Sequence, residues 1–157
     1  MPRTKFQEVV FALLMCFFMV LAMEVYNTAF RLGGMSNACW LPALWEMRIM
    51  LPTCFIMSFF FMDPLAQKLT FAQLTPGEDR PILVILVRAG ITVALMCPTM
   101  SFGATVFFSG FHAEFVSVWL QTLVRNFPMA LCWQVFFCGP LVRRLFRALF
   151  HRQLQTA

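Results

Sequence analysis

Four long apolar runs alternate with short polar stretches along this chain. The first goes from Val9 to about Phe30, the second from about Trp45 to Met62, ending at Asp63-Pro64. The third starts at Pro81, a residue accepted in a first helical turn, and ends near Phe108. The fourth goes from about Val116 to Cys138 and ends at Gly139-Pro140. At 1.5 Å per residue such runs cross a hydrocarbon core of about 30 Å as helices. The pattern predicts an all-α integral membrane protein of four transmembrane helices, arranged as two tandem hairpins of parallel topology.

The punctuation between the runs is turn chemistry. Residues 31–44 hold paired glycines, a proline and a tryptophan, and predict an outer loop. Residues 65–80, with Pro76-Gly77-Glu78-Asp79, predict an inner loop. Ser109-Gly110 predicts a short turn. After Gly139 the chain carries Arg143, Arg144, Arg147 and Arg152 among Leu145, Phe146, Leu149 and Phe150, a basic amphipathic tail expected to lie on the membrane surface. The first run resembles a signal peptide, with Val20-Leu21-Ala22 at a cleavage-like position. Its length, its extension through Glu24 and Tyr26, and its later counterpart favour a helix that stays.

Composition agrees with lipid as the solvent. Of 157 residues, 61% are hydrophobic and 12% charged, about half the charged share of a soluble domain. A core this small cannot hide so much apolar surface. The net charge of +5 sits in flanks beside the apolar runs, which is the membrane pattern and not a nucleic-acid surface. Arg3, Lys5, Lys68, Arg80 and the tail arginines fall on one side of the predicted spans; Arg31, Arg48 and Arg125 fall toward the other. The first side is expected to be cytoplasmic, with both termini inside a bacterial inner membrane. Trp40, Trp45 and Trp119 then mark the outer interface. Five of the six cysteines fall in apolar stretches without C-x-x-C spacing, and read as free thiols used for packing.

The chain repeats itself. A shift of 76 residues brings Pro52 onto Pro128 and DPLAQKL at 63–69 onto GPLVRRL at 139–145; a shift of 77 brings MVLAMEVYNTAF at 19–30 onto MCPTMSFGATVF at 96–107. The units are 1–75 and 76–157. An even number of spans returns the chain to its starting side, so the two hairpins are related by a pseudo-two-fold axis along the membrane normal, as in some transporters. Duplication for packing stability alone explains the repeat equally well.

MPRTKFQ at the start, MEVYN at 23–27, CPTMS at 97–101 and NFPMALCWQVFFCGPLVRRLF at 126–146 resemble a bacterial family of small hairpin membrane proteins known as a domain of unknown function (DUF2798). The resemblance covers nearly the whole chain. It implies two copies of the unit and a bacterial inner membrane, and it carries no catalytic residue. A looser likeness of layout is to the proteobacterial antimicrobial-compound efflux proteins, which pair four helices and place an acid in the first. Their aromatic–acid motifs at the helix ends are not matched, so the likeness is one of layout, an analogy for a mechanism and not a sign of descent.

Ionisable groups within a span are costly and therefore candidates for function. Glu24 lies roughly 22 Å along the first helix from Val9, with Asn27 on the same face. Desolvation favours the neutral form of an unpaired carboxyl, which a proton-coupled carrier can use. The competing role is a structural ion pair with Arg48 or Arg125. Pro52, Pro98 and Pro128 each free a carbonyl one turn back and are expected to bend their helices. Arg125-Asn126 before Pro128 gives a polar notch; with Tyr26, Trp133 and Gln134 it is a candidate lining for a path. Packing tolerates the prolines as well, Gln134 suits a bond between helices, and Arg88 can snorkel to the inner interface. Met15, Met19 and Met23 form a stripe that Met96 and Met100 repeat, suggesting a soft-metal path beside the commoner role of adaptable packing; no metal and no cofactor is assigned. P-loop, G-x-S-x-G and HExxH signatures are missing, and His112 and His151 stand alone. Two functions follow. One is a small proton-coupled transporter of an amphiphilic or aromatic molecule. The other is a non-transporting protein that binds a lipid or a protein partner, its tail docked on anionic lipid. An enzyme is not expected, and the bundle can pair with a second copy as a homodimer.

Overall fold

The computed structural model describes residues 5–74, 80–111 and 113–150. Arg3, the turn at 76–79, His112, His151 and Arg152 lie outside the described residues. Everything regular among the described residues is helical: α1 (Lys5–Arg31), α2 (Trp40–Met57), α3 (Asp63–Gln73), α4 (Pro81–Ser109), α5 (Phe115–Cys132) and α6 (Gly139–Leu149). A π-helical turn, Ser58–Met62, joins α2 to α3 without a break, and another, Trp133–Cys138, joins α5 to α6. The described residues therefore form four rods.

Three of these rods are long and apolar enough to cross a membrane: Lys5–Arg31, Asn37–Gln73 and Pro81–Phe108. The rod from α5 through α6 has the length, but Gln121, Arg125, Asn126 and Gln134 dilute its hydropathy. Large apolar side chains such as Phe60, Phe61, Ile82, Val124 and Phe136 point outward, more than 60% exposed. That outward greasiness suits lipid and not water.

The loops are shorter than the sequence suggests. α1 ends in a Schellman motif: Gly33 takes φ 78°, its N–H reaches the Phe30 carbonyl at 3.3 Å, and the Gly34 N–H reaches Ala29 at 2.9 Å. A short 3₁₀ turn at Asn37–Cys39 then starts α2 at Trp40, earlier than the expected Trp45. The proline there reads as loop chemistry, yet Pro42 falls in the first turn of α2, where the helix needs no N–H donor from it.

The larger correction concerns Asp63-Pro64 and Gly139-Pro140. Both were expected to end a helix, with an inner loop from 65 to 80; instead α3 runs on to Gln73 and α6 to Leu149. Pro64 and Pro140 cannot donate to the carbonyls of Phe60 and Phe136, and their rings crowd those carbonyls. Widening the turn relieves the conflict. The Asp63 N–H bonds the Ser58 carbonyl, and the Gly139 N–H bonds that of Gln134, both five residues back. The basic segment after Gly139 is thus an extension of the fourth rod rather than a separate surface helix. Its face of Val142 and Phe146 is buried, with Phe146 edge-on to Phe11 of α1 at 5.6 Å.

Pro52, Pro98 and Pro128 lie inside helices that continue through them. Each leaves the carbonyl four residues back, of Arg48, Ala94 and Val124, without its usual donor. The wider π bonding sits elsewhere, at the two turns Ser58–Met62 and Trp133–Cys138, one in each repeat. Threonine hydroxyls elsewhere are absorbed by their own helices, for example Thr99 to the Leu95 carbonyl at 2.9 Å and Thr105 to Ser101 at 2.8 Å. That matters where no water can serve them.

Consecutive rods are antiparallel. α1 packs along α2 on one side and along the α5–α6 rod on the other; α4 packs on α5 and α3. α1 and α4, the equivalent first helices of the two repeats, therefore stand at opposite corners of a four-helix bundle. The α1 face toward α2 is a spine at four-residue spacing: Ala12, Cys16, Val20, Glu24 and Thr28, all buried. Ala43, Met47, Met50 and Cys54 answer from α2. Val93 and Cys97 of α4 pack with Ala130 of α5 in the second hairpin.

Candidate functional site: a polar-tipped, sulfur-lined central cavity

The side chains between the four rods leave space unfilled. A cavity of about 740 Å³ lies there. On α1 its lining begins at Glu8 and ends at Asn27, roughly 28 Å along the helix. The middle of the wall is methionine: Met15, Met19 and Met23 from α1, Met50 from α2, Met96 and Met100 from α4. The thiols Cys16, Cys54 and Cys97 join them. All six cysteines of the chain are free.

The end toward the C-terminus of α1 and of α4 carries Glu24, buried to 7% exposure, and Asn27, Ser101 and Asn126 also line the cavity. Antiparallel register brings Glu46 of α2 into the neighbourhood of Glu24, just as Cys54 packs with Cys16 two turns away. Glu46 in turn pairs with Arg31, whose Nη2 also donates to Thr28 Oγ1 at 3.1 Å. The two arginines weighed as partners of Glu24 are engaged elsewhere. Arg48 is exposed and stacks over Trp45 at 5.8 Å. Arg125 donates from Nη2 to Asn27 Oδ1 at 3.1 Å and lies over the Phe30 ring at 4.7 Å. Arg31 and Glu46 are the residues that sequence reasoning missed. Both sit near helix ends, where a charge reads as interfacial, and only the hairpin register brings them beside position 24.

Asn126 and Gln134 are buried on the cavity wall, at 4% and 8% exposure. The side-chain carbonyl oxygen of each has no hydrogen-bond partner. Gln134 therefore does not make the bond between helices that its position suggested through that oxygen. Buried polar atoms without partners are rare and costly, which makes these two notable. Gln134 stands in the second π turn; its repeat equivalent Ser58 stands in the first, and donates to Asp63 Oδ2 at 3.1 Å.

Tyr26 and Trp133 do not border this cavity. They line a second, apolar cavity of about 610 Å³ on the far side of α1, together with Phe18, Val25 and Trp40. The Trp133 indole donates to the Phe18 carbonyl at 3.2 Å and ties the two hairpins together. The opposite end of the central cavity is charged: Glu8, Asp63, Arg88, Arg143 and Arg147 all reach it. Arg143 donates from Nε to the Gly139 carbonyl at 2.9 Å, while Arg144 is exposed. Tail arginines expected to face lipid headgroups thus divide between the cavity mouth and the outside.

The repeat seen in the sequence, the paired π turns and the diagonal equivalence of α1 and α4 all describe a duplicated hairpin. The family model for a domain of unknown function (DUF2798) matches twice, over residues 4–73 and 84–150. The chain is also similar to the uncharacterized protein YybC of Bacillus subtilis (strain 168), 29% identical over 161 residues that cover 100% of this chain and 99% of the relative. No solved structure matches it. The two matched segments fall on the two hairpins, α1–α3 and α4–α6, and the chain belongs to the DUF2798 family as a tandem pair of its domains.

Proposed function

We propose that the chain is a small proton-coupled transporter of an amphiphilic or aromatic molecule, spanning a bacterial inner membrane four times with both termini cytoplasmic. The observation that carries this reading is Glu24, buried on the wall of an axial cavity beside Asn27 and Asn126. A carboxyl facing lipid or locked in its own ion pair would serve structure. This one faces a cavity, and its neighbour across the seam is another acid, Glu46, which shares a single arginine, Arg31. A proton held between two carboxyls can leave when a substrate displaces it, which is the coupling a carrier needs. The methionine walls suit an amphiphile, since flexible thioethers repack around varied apolar shapes. Asn126 and Gln134 offer unpartnered acceptors to its polar part.

The second reading, a binding protein without transport, rests on the separate apolar cavity at Tyr26 and Trp133, which fits a lipid chain. Infrared difference titration of the purified protein in lipid separates the two, with Glu24→Gln as the reference that assigns the band. We expect a carboxyl band that titrates across neutral pH in the wild type and is missing in Glu24→Gln. A carboxyl that stays ionised well below neutral pH means a permanent partner, and the transporter reading then gives way to the binding one.

A further inference from the structure

The sequence scatters its sulfur atoms with no Met-x-Met or Cys-x-Cys spacing. The fold gathers them. Cys16 of α1, Met50 and Cys54 of α2, and Met96 and Met100 of α4 pack as one cluster, and all five border the central cavity. Cys16 and Cys54 meet across the α1–α2 seam in that buried cluster. Packing alone would not need the cluster to border a void. Thiolate and thioether donors select soft ions, Cu(I) above all. Harder ions lack a donor set, since no three of His, Cys, Asp and Glu come together among the described residues.

We propose that Cys16 and Cys54, flanked by the thioethers of Met50, Met96 and Met100, form a binding site for a soft monovalent metal ion, Cu(I) or its surrogate Ag(I). Each thiol that ligates loses its proton to water as the sulfur–metal bond forms, and no electron moves. The site lies about eight residues, roughly 12 Å, along α1 from Glu24, and does not depend on the proton-coupled reading.

The test uses the full chain in detergent, reduced and free of oxygen, titrated with Cu(I) against a Cu(I)-selective chromogenic chelator. Cys132 is changed to Ser throughout, because that thiol is exposed. We expect about one Cu(I) held per chain, with a shell of sulfur alone by X-ray absorption. Cys16→Ser with Cys54→Ser should weaken retention about 100-fold or more. Met50→Leu keeps the side-chain volume and should weaken retention several-fold while folding as the parent does, so the proposal stays testable if the double cysteine variant fails to fold. No retention against the chelator, a shell containing nitrogen or oxygen, or unchanged affinity in the folded double variant or in Met50→Leu each overturns the site.

Discussion

Glu24 has no counterpart in the second repeat, where Ser101 stands at the equivalent place. Duplication gave the bundle two similar halves; single residues then gave the cavity its polarity. Gly33 shows residue-level control of another kind. Its φ of 78° is left-handed, a conformation in which a Cβ costs roughly 1–2 kcal/mol. Gly33→Ala should therefore lower stability by about 1 kcal/mol, read from thermal unfolding in detergent. Gly34→Ala, where an added Cβ meets nothing within 4 Å, should change it little. Equal losses at both would mean that the Schellman geometry does not end α1. The glycine pair was legible as a turn from the sequence, but which of the two takes the left-handed conformation was not. Likewise Glu24 was legible as a misplaced charge, while its neighbours Glu46 and Arg31 were not, because side-chain partners depend on register between helices.

Among the elements, the two hairpins are joined chiefly along α1 and the α5–α6 rod, where polar bonds reinforce apolar packing. Arg125 donates to Asn27 at 3.1 Å, and the Trp133 indole to the Phe18 carbonyl at 3.2 Å. Arg125 Nε already lacks a partner. Asn27→Leu should cost about 1–2 kcal/mol, since it orphans more of a half-buried guanidinium. Unfolding of the variant in lipid or detergent measures this, and no loss would mean that the arginine finds other acceptors. The four rods followed from hydropathy, and the two helix ends at Asp63-Pro64 and Gly139-Pro140 were misread. A proline breaks an α-helix by steric conflict with the carbonyl four residues back. Sequence shows the conflict but not its remedy. Here each repeat inserts a π turn and carries the helix on.

For the molecule as a whole, topology decides which end of the cavity meets the cytoplasm. The basic flanks predict that the termini do. A cysteine introduced at exposed Ser36, in a chain with Cys39 and Cys132 changed to Ser and its other four cysteines buried, should react in intact cells with a thiol reagent that cannot cross the inner membrane. A cysteine introduced instead at exposed Gln73 should react only after permeabilisation. The opposite pattern would invert the orientation, and labelling of both in intact cells would remove the four-span reading. Sequence by itself determined the helical class, the apolar rods and the duplicated hairpin, because these depend on local hydropathy and on similarity between segments, which rotation of a helix leaves unchanged. Tertiary structure alone decided that α1 and α4 take opposite corners, that a cavity opens between them, and that Glu24, Asn27, Asn126 and Gln134 share it while Tyr26 and Trp133 do not. The reason is geometric. A lipid-exposed helix can be apolar all round, so hydropathy does not fix which face turns inward; the packing of four rods around an axis does.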